Sequence, residues 1–211
     1  TEGSPEAATD LGAQVVALDM TQPITAARAR NAGLAALSDS PPDYVQFVDG
    51  ECVLQPGWIE TAHAFLADNP EVAMACGRRR ETPPEASVFN RLCDAEWNTP
   101  PGAALACGGD ALGRWEALAA VNGYTPTLIA GEEPEMCFRM RAKGWRILRI
   151  DAEMTWHDAA LTRFSQWWTR NVRAGHAYAE SAARHGDSPE RFRVAQTRRA
   201  LIWGAGVPAL V

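Results

Sequence analysis

No apolar run in this 211-residue chain is long enough to cross a bilayer, and no two of its cysteines stand in C-x-x-C spacing. The first absence argues against a complete spanning helix. The second leaves zinc unsupported. The five cysteines are an odd number and widely spaced, so a disulfide framework is not expected and reduced thiols are. No charged-then-apolar leader opens the chain. Internal repeats and low-complexity tracts are missing as well. What is present is ordinary globular material: 46% hydrophobic and 22% charged residues, enough for one sizeable core and too apolar for wholesale disorder.

Net charge is -6, but it is unevenly placed. Residues 1–138 carry 7 basic and 20 acidic side chains, a balance of -13, and residues 139–211 carry 13 and 6, a balance of +7. A basic C-terminal third suits nucleic acid, an anionic lipid surface or a solvated face. Nothing in it matches a nucleic-acid-binding motif, so no nucleic-acid partner is expected.

Short apolar segments alternate with helical patterns, which predicts an α/β fold with a mostly parallel sheet and flanking helices. Ala13 to Leu18, Tyr44 to Val48, Val72 to Cys76, Arg146 to Ile150 and Met154 to Trp156 read as strands. Thr25 to Leu37, Gly57 to Ala67, Trp115 to Val121 and a segment from Gly131 to Gly144 read as helices. Pro134 fits the first helical position of that last segment, where a missing N–H is harmless. Glu81 to Pro101, with four prolines and a possible short helix from Val88 to Trp97, reads as a long excursion over one sheet face. From Thr162 the chain is helical, with a break at Gly186 to Pro189.

Asp49-Gly50-Glu51 closes the strongest strand. Two carboxylates two positions apart point to one side of a strand's carboxyl end, where ligands of open α/β sheets bind. There they can hold Mg²⁺ or Mn²⁺, hard ions that take oxygen ligands and bridge a diphosphate. Alone, the same residues describe a solvated turn. Glu132, Glu133 and Glu135 crowd a helix start, which stabilises carboxylates as anions, while their mutual repulsion raises pKa values. A plain surface pair of Glu135 with Arg139 at i,i+4 is the alternative.

The order Arg30-Asn31-Ala32-Gly33, Tyr44 to Glu51, Pro56-Gly57-Trp58, Gly108-Gly109 and Glu132-Glu133 with a trailing Arg139 resembles glycosyltransferase family 2, of the GT-A type, over about Gln22 to His157. The chain departs from the pattern by carrying Glu51 and Glu133 where aspartate is usual. Thr1-Glu2-Gly3-Ser4 looks like the tail of the family's nucleotide-gripping loop, with the first strand–helix unit ahead of it missing. The resemblance implies a GT-A-like domain at 1–160 that moves a sugar, with inversion, from a nucleotide-sugar donor to a glycan or lipid-linked acceptor in bacterial polysaccharide biosynthesis. It implies that Asp49, Glu51 and His157 hold Mg²⁺ or Mn²⁺. Arg30 and Asn31 would lie near the nucleotide, Asp110 would touch the donor or acceptor sugar, and Glu133, with Glu132 as second candidate, would be the general base. A lone histidine such as His157 is as readily a satisfied, part-buried imidazole, and Asp110 as readily a turn residue. A nucleotidyltransferase and a non-catalytic module of the same fold remain the alternatives.

Residues 161–211 read as amphipathic helices leading toward a possible membrane span. Phe164, Trp167, Trp168 and Val172 recur at helical spacing among Arg163, Arg170 and Arg173, which suits an anionic membrane surface, although a core-facing stripe gives the same pattern. Ala200 to Val211 reads as the opening of a spanning helix, with Arg198 and Arg199 on its cytoplasmic side. The expected location is cytoplasmic, peripheral to or anchored at the inner face of the cell membrane.

Overall fold

A computed structural model describes residues 3–206. Six strands form one mixed sheet flanked by helices: β1 Tyr44–Gln46, β2 Cys52–Leu54, β3 Val72–Glu81, β4 Gly102–Ala103, β5 Leu112–Arg114 and β6 Arg146–His157. Their order is β1-β5-β3-β6-β2, with β4 paired to β6. The expectation of a mostly parallel sheet needs correction. Only β3 and β6 pair in parallel, while β5 runs antiparallel to both β1 and β3, and β2 and β4 run antiparallel to β6.

The centre of the sheet is β3. Val72, Ala73, Met74 and Ala75 are fully buried, as a strand covered on both faces requires. It packs against α3 (Trp58–Asp68), whose Trp58 is 1% exposed and donates its indole N–H to Gln46 Oε1 at 2.8 Å. The two short strands expected near residues 146 and 156 are one continuous strand. Its middle bulges where pairing with β3 passes from Arg149 to Glu153, and Glu153 forms an ion pair there with Arg80.

Ala13 to Leu18 is not a strand. It runs without a strand partner among the described residues and leaves Val15 and Val16 exposed, because apolar alternation cannot make a strand without a neighbouring edge. Ser4 to Asp10, expected to follow a loop tail, is a short exposed helix, α1, with Pro5 in its first turn; Thr1 and Glu2 lie outside the described residues. The remaining helices are α2 (Ala26–Ala36), α4 (Val88–Trp97), α5 (Trp115–Ala120), α6 (Glu132–Ala142), α7 (Phe164–His185) and α8 (Val194–Leu201). Thr25 caps α2 by accepting the Arg28 N–H at 3.1 Å. Pro134 occupies the third position of α6, not the first, which its first turn still tolerates because the N–H there has no partner within the helix.

No helix among the described residues is long and apolar enough to cross a membrane. The expected span at Ala200 to Val211 falls in part on 207–211, outside the described residues. Its described part, the end of α8 and the turn Ile202–Gly206, exposes Leu201, Ile202 and Trp203.

Candidate active site

The turn after β1 and the first turn of α6 meet at one guanidinium. Arg30, on α2, donates through Nη2 to Asp49 Oδ1 at 2.6 Å and through Nη1 to Glu133 Oε1 at 2.6 Å and Glu132 Oε1 at 3.2 Å. Its cation also lies 5.4 Å from the Tyr124 ring centre. Burial works against the charge on Arg30, but Glu133, Tyr124 and Asp49 outweigh it and hold its pKa above that of an ordinary guanidinium. Gly109 makes the approach possible. A Cβ there would stand 2.4 Å from both Arg30 Nη2 and Asp49 Oδ2, which accounts for one member of the double glycine.

Asn31, the neighbour of Arg30, has a different job from the expected one. Its side chain donates to the Tyr124 carbonyl at 2.8 Å and accepts the Tyr124 N–H at 2.9 Å, so both ends are committed to holding the loop before α6. The Arg-Asn pair therefore divides into one residue that serves the acids and one that serves the backbone.

Glu51 and His157 come together by strand register. Cys52 pairs with His157 across β2 and β6, and the Glu51 carbonyl accepts the Asp158 N–H at 3.2 Å. Glu51 Oε1 stands 3.7 Å from His157 Nε2. The other ring nitrogen, Nδ1, is buried, lacks a hydrogen bond and faces Glu81 Oε2 at 3.5 Å. Burial first, then Arg79, lowers the His157 pKa, which keeps the imidazole neutral at pH 7. A neutral imidazole with a buried carboxylate behind Nδ1 and a second carboxylate beside Nε2 at the cleft has the chemistry of a metal-ligating histidine. The donor set of two carboxylates and one imidazole thus fits a divalent cation in its chemistry. Asp49 is tied to Arg30, however, and no three His, Cys, Asp or Glu among the described residues are gathered in metal-holding geometry.

Asp110, expected at the sugar, is committed to partners within the chain. It is fully buried, accepts Arg79 Nε at 2.9 Å and Arg79 Nη2 as a fork, and takes the Thr155 hydroxyl as well. With the guanidinium of Arg79 also 5.3 Å from the Trp97 ring centre, Asp110 and Trp97 fix that arginine in place. Arg79, Trp97 and Glu81 were not legible as site residues, since a run of three arginines at the end of a strand carries no motif.

A cleft of about 1010 Å³ collects the rest. Glu51, His157 and Arg79 line it from the sheet, Glu133 from the start of α6, and Arg170 and Arg173 from α7. Glu132, Asp49 and Arg30 are not on its wall, which separates Glu133 from Glu132 as the carboxylate a bound molecule would meet. Burial raises the pKa of Glu133 and Glu132 adds to the rise, while Arg30 opposes it. Glu135 is not half of a surface pair. It is 2% exposed and accepts from Arg139 Nε, Thr125 Oγ1 and His185 Nε2, each at 2.9 Å, which binds α6 to the preceding loop and to the end of α7. Ala177 of α7 packs on Gly131, where any Cβ would fall 2.9 Å from its own. The helix read as membrane-facing is thus also a wall of the cleft. Its other face stays open, with Phe164 and Trp168 61% and 56% exposed and stacked on each other, while Trp167 is half-buried and stacked on Phe89.

No known family profile matches the chain. Among curated proteins it is similar to the pre-mycofactocin glycosyltransferase of Mycobacterium tuberculosis, represented by two strains, with 28% identity over 178 residues that cover 76% of this chain and 36% of that protein. The chain therefore spans little more than a third of the length of the curated relatives it matches. Among solved structures it is similar to the mannosyltransferase PcManGT from Pyrobaculum calidifontis in complex with GDP-Man and Mn²⁺, with a TM-score of 0.63, 17% identity and coverage of 95% of this chain and 57% of that one. It is also similar to S. aureus TarS 1-349 in complex with UDP-GlcNAc, with a TM-score of 0.62, 11% identity and coverage of 90% and 56%. At these identities the likeness speaks to architecture alone: the chain has the GT-A-like α/β fold that PcManGT and TarS share.

Proposed function

We propose that this chain is the catalytic part of a glycosyltransferase of family 2 that moves a sugar, with inversion, from a nucleotide-sugar donor to a glycan or lipid-linked acceptor. The observation that carries the reading is the meeting of Asp49 and Glu133 on Arg30, beside the Glu51–His157 pair, in and behind one cleft. The curated relative is a glycosyltransferase, and the two structures of like fold contain GDP-Man with Mn²⁺ and UDP-GlcNAc, which supports a nucleotide-sugar donor and a divalent ion.

Glu133 is the general base. Its carboxylate stands on the cleft wall with one oxygen on Arg30, leaving lone pairs to take the proton of an acceptor hydroxyl. As that oxygen bonds to the anomeric carbon, the bond to the diphosphate oxygen on the opposite face breaks, and configuration inverts. Arg30 opposes the rise that burial imposes on the Glu133 pKa and so favours the ionised form a base needs. Arg79, fixed by Asp110, offers a cation to the anionic leaving group from the sheet side. Asp49, Glu51 and His157 would hold Mn²⁺ or Mg²⁺, which when bound supplies charge neutralisation of the leaving diphosphate. Glu81 orients His157 in that role.

The domain division follows the same reading: 1–160 is the GT-A-like unit and 161–211 the amphipathic helices that bring it to an anionic membrane at the cytoplasmic face. The exposed Phe164, Trp168 and Val172 beside Arg163 support the membrane partner. The test is transfer from a panel of nucleotide sugars in the presence of Mn²⁺, comparing wild type with Glu133→Gln. Release of nucleoside diphosphate that the variant loses supports the reading. Donor binding without turnover in both proteins would make the chain a non-catalytic module.

A further inference from the structure

Five of the twelve arginines in residues 139–211 form an ion pair with an acid. Arg141 pairs with Glu190 at 2.5 Å, Arg170 with Glu96 at 2.7 Å and Arg184 with Glu180 at 2.7 Å. Arg163, Arg198 and Arg199 have none, but they are exposed to water. Arg173, exposed, and Arg193, half-buried, line the cleft without an ion pair among the described residues. The guanidinium of Arg173 makes a single hydrogen bond, from Nη2 to the Ile129 carbonyl at 3.2 Å. That of Arg193 makes no hydrogen bond among the described residues and lies against two rings, 5.1 Å from the centre of Tyr178 and 5.3 Å from that of Phe192.

This placement is costly. Arg193 is half-buried, and burial first, then the nearby Arg141, depresses its pKa. Its backbone is left-handed at φ 60, and Arg191 two residues earlier is left-handed at φ 50, conformations that cost a non-glycine residue on the order of 1 kcal/mol or more each. Contacts through the ring faces leave the N–H edge of the guanidinium unused. A half-buried cation with free donors, on a strained loop in a cleft, forms no ion pair among the described residues, and the nearby Glu190 is taken up by Arg141.

The location narrows what that anion belongs to. Arg173, Ala174 and Tyr178 line the cleft from α7, the helix whose Ala177 packs on Gly131 two residues before Glu133, and Arg193 lies over the Tyr178 ring, whereas the Glu51–His157 pair and Arg79 come from the sheet. A group reaching both Glu133 and Arg193 is the one that gives up its hydroxyl proton. We infer that Arg173 and Arg193 form a subsite for an anionic group on the acceptor, a phosphate or a carboxylate carried close to the hydroxyl that receives the sugar. The inference rests on the transferase reading above and names the substrate class it leaves open.

Inorganic phosphate, titrated calorimetrically into the 211-residue chain at low ionic strength, is the probe. Arg193→Gln and Arg173→Gln should each weaken phosphate binding about tenfold or more, the scale of a lost charge-assisted contact. Arg198→Gln, exposed and off the cleft, should change it less than about twofold. Arg173 is exposed, so its variant keeps the fold and the test stands even where Arg193→Gln does not. Saturating GDP or UDP with Mn²⁺ should leave phosphate binding in place, because donor and acceptor anions occupy different walls. Three results overturn the inference: no phosphate binding to wild type, binding by both cleft variants as tight as that of wild type, or displacement of phosphate by the nucleoside diphosphate. Should phosphate bind as expected while no nucleoside diphosphate binds at all, the assignment to an acceptor falls with the transferase reading and the anion site alone remains.

Discussion

Replacing Arg30 by glutamine removes the one positive charge that Asp49, Glu132 and Glu133 share, at 2.6, 3.2 and 2.6 Å. Unit charges about 4 Å apart at an effective dielectric constant of about 20 interact by about 4 kcal/mol, which is about three pKa units. Water entering the vacated space lowers this to about one to two units for Glu133. The sign follows from the chemistry. Burial already raises the Glu133 pKa and Arg30 opposes the rise, so the variant's base protonates at a higher pH. The acid limb of kcat/KM, measured from nucleoside diphosphate release at saturating Mn²⁺, should therefore move up by about one to two pH units. Arg30→Lys keeps the charge without the fork and should move it less. Stability gives a second reading that needs no substrate. Three part-buried carboxylates without their cation should destabilise the variant by about 3 kcal/mol near pH 7, and the deficit should shrink as pH falls toward about 4 and the acids take up protons. An acid limb that stays in place, together with a pH-independent loss of melting temperature, would refute the shared-charge account.

Four further outcomes are expected. Glu133→Gln should keep donor binding and reduce transfer by about 10² or more, the usual share of a general base, and retention of activity within a few-fold would move the base to Glu132. Mn²⁺ with GDP or UDP should raise the melting temperature of wild type but not of Asp49→Ala, and equal stabilisation would remove Asp49 from the ligand set. Gly109→Ala places a Cβ 2.4 Å from the Arg30–Asp49 pair and should raise the Mn²⁺ concentration needed for that thermal shift, while the sheet core, far from the contact, keeps its far-ultraviolet signal. Anionic vesicles should co-sediment the chain at low salt and release it at higher salt as screening shortens the surface potential, and the double variant Phe164→Ser with Trp168→Ser should release it at every salt; binding unchanged in that variant would exclude the exposed aromatic face.

Much of the element pattern was legible because it depends on near neighbours in sequence. Alanine-rich α2 behind its Thr25 cap, the fully apolar start of β3, and α4 from Val88 to Trp97 are each specified by local periodicity and caps. The misreadings share one cause. Ala13 to Leu18 is apolar like a strand but has no edge to pair with among the described residues, and the two short strands near residues 146 and 156 are one, because pairing with β3 resumes at Glu153 after a bulge. Strand existence and direction are settled by partners that sequence spacing does not name.

The candidate site divides along the same line. By itself the sequence determined which acids and glycines are present, in which order, and that Glu133 begins a helix, since charge preference and helix punctuation act within a turn or two. Only the tertiary structure decided what each of them touches. It turned Asn31 to the backbone of Tyr124, buried Asp110 beneath Arg79, set Glu81 behind His157 by strand register, and left Arg193 without an acid. Side-chain charges act over a few ångströms and not over residue number, so their partners are fixed where strands 70 or 100 residues apart are packed side by side.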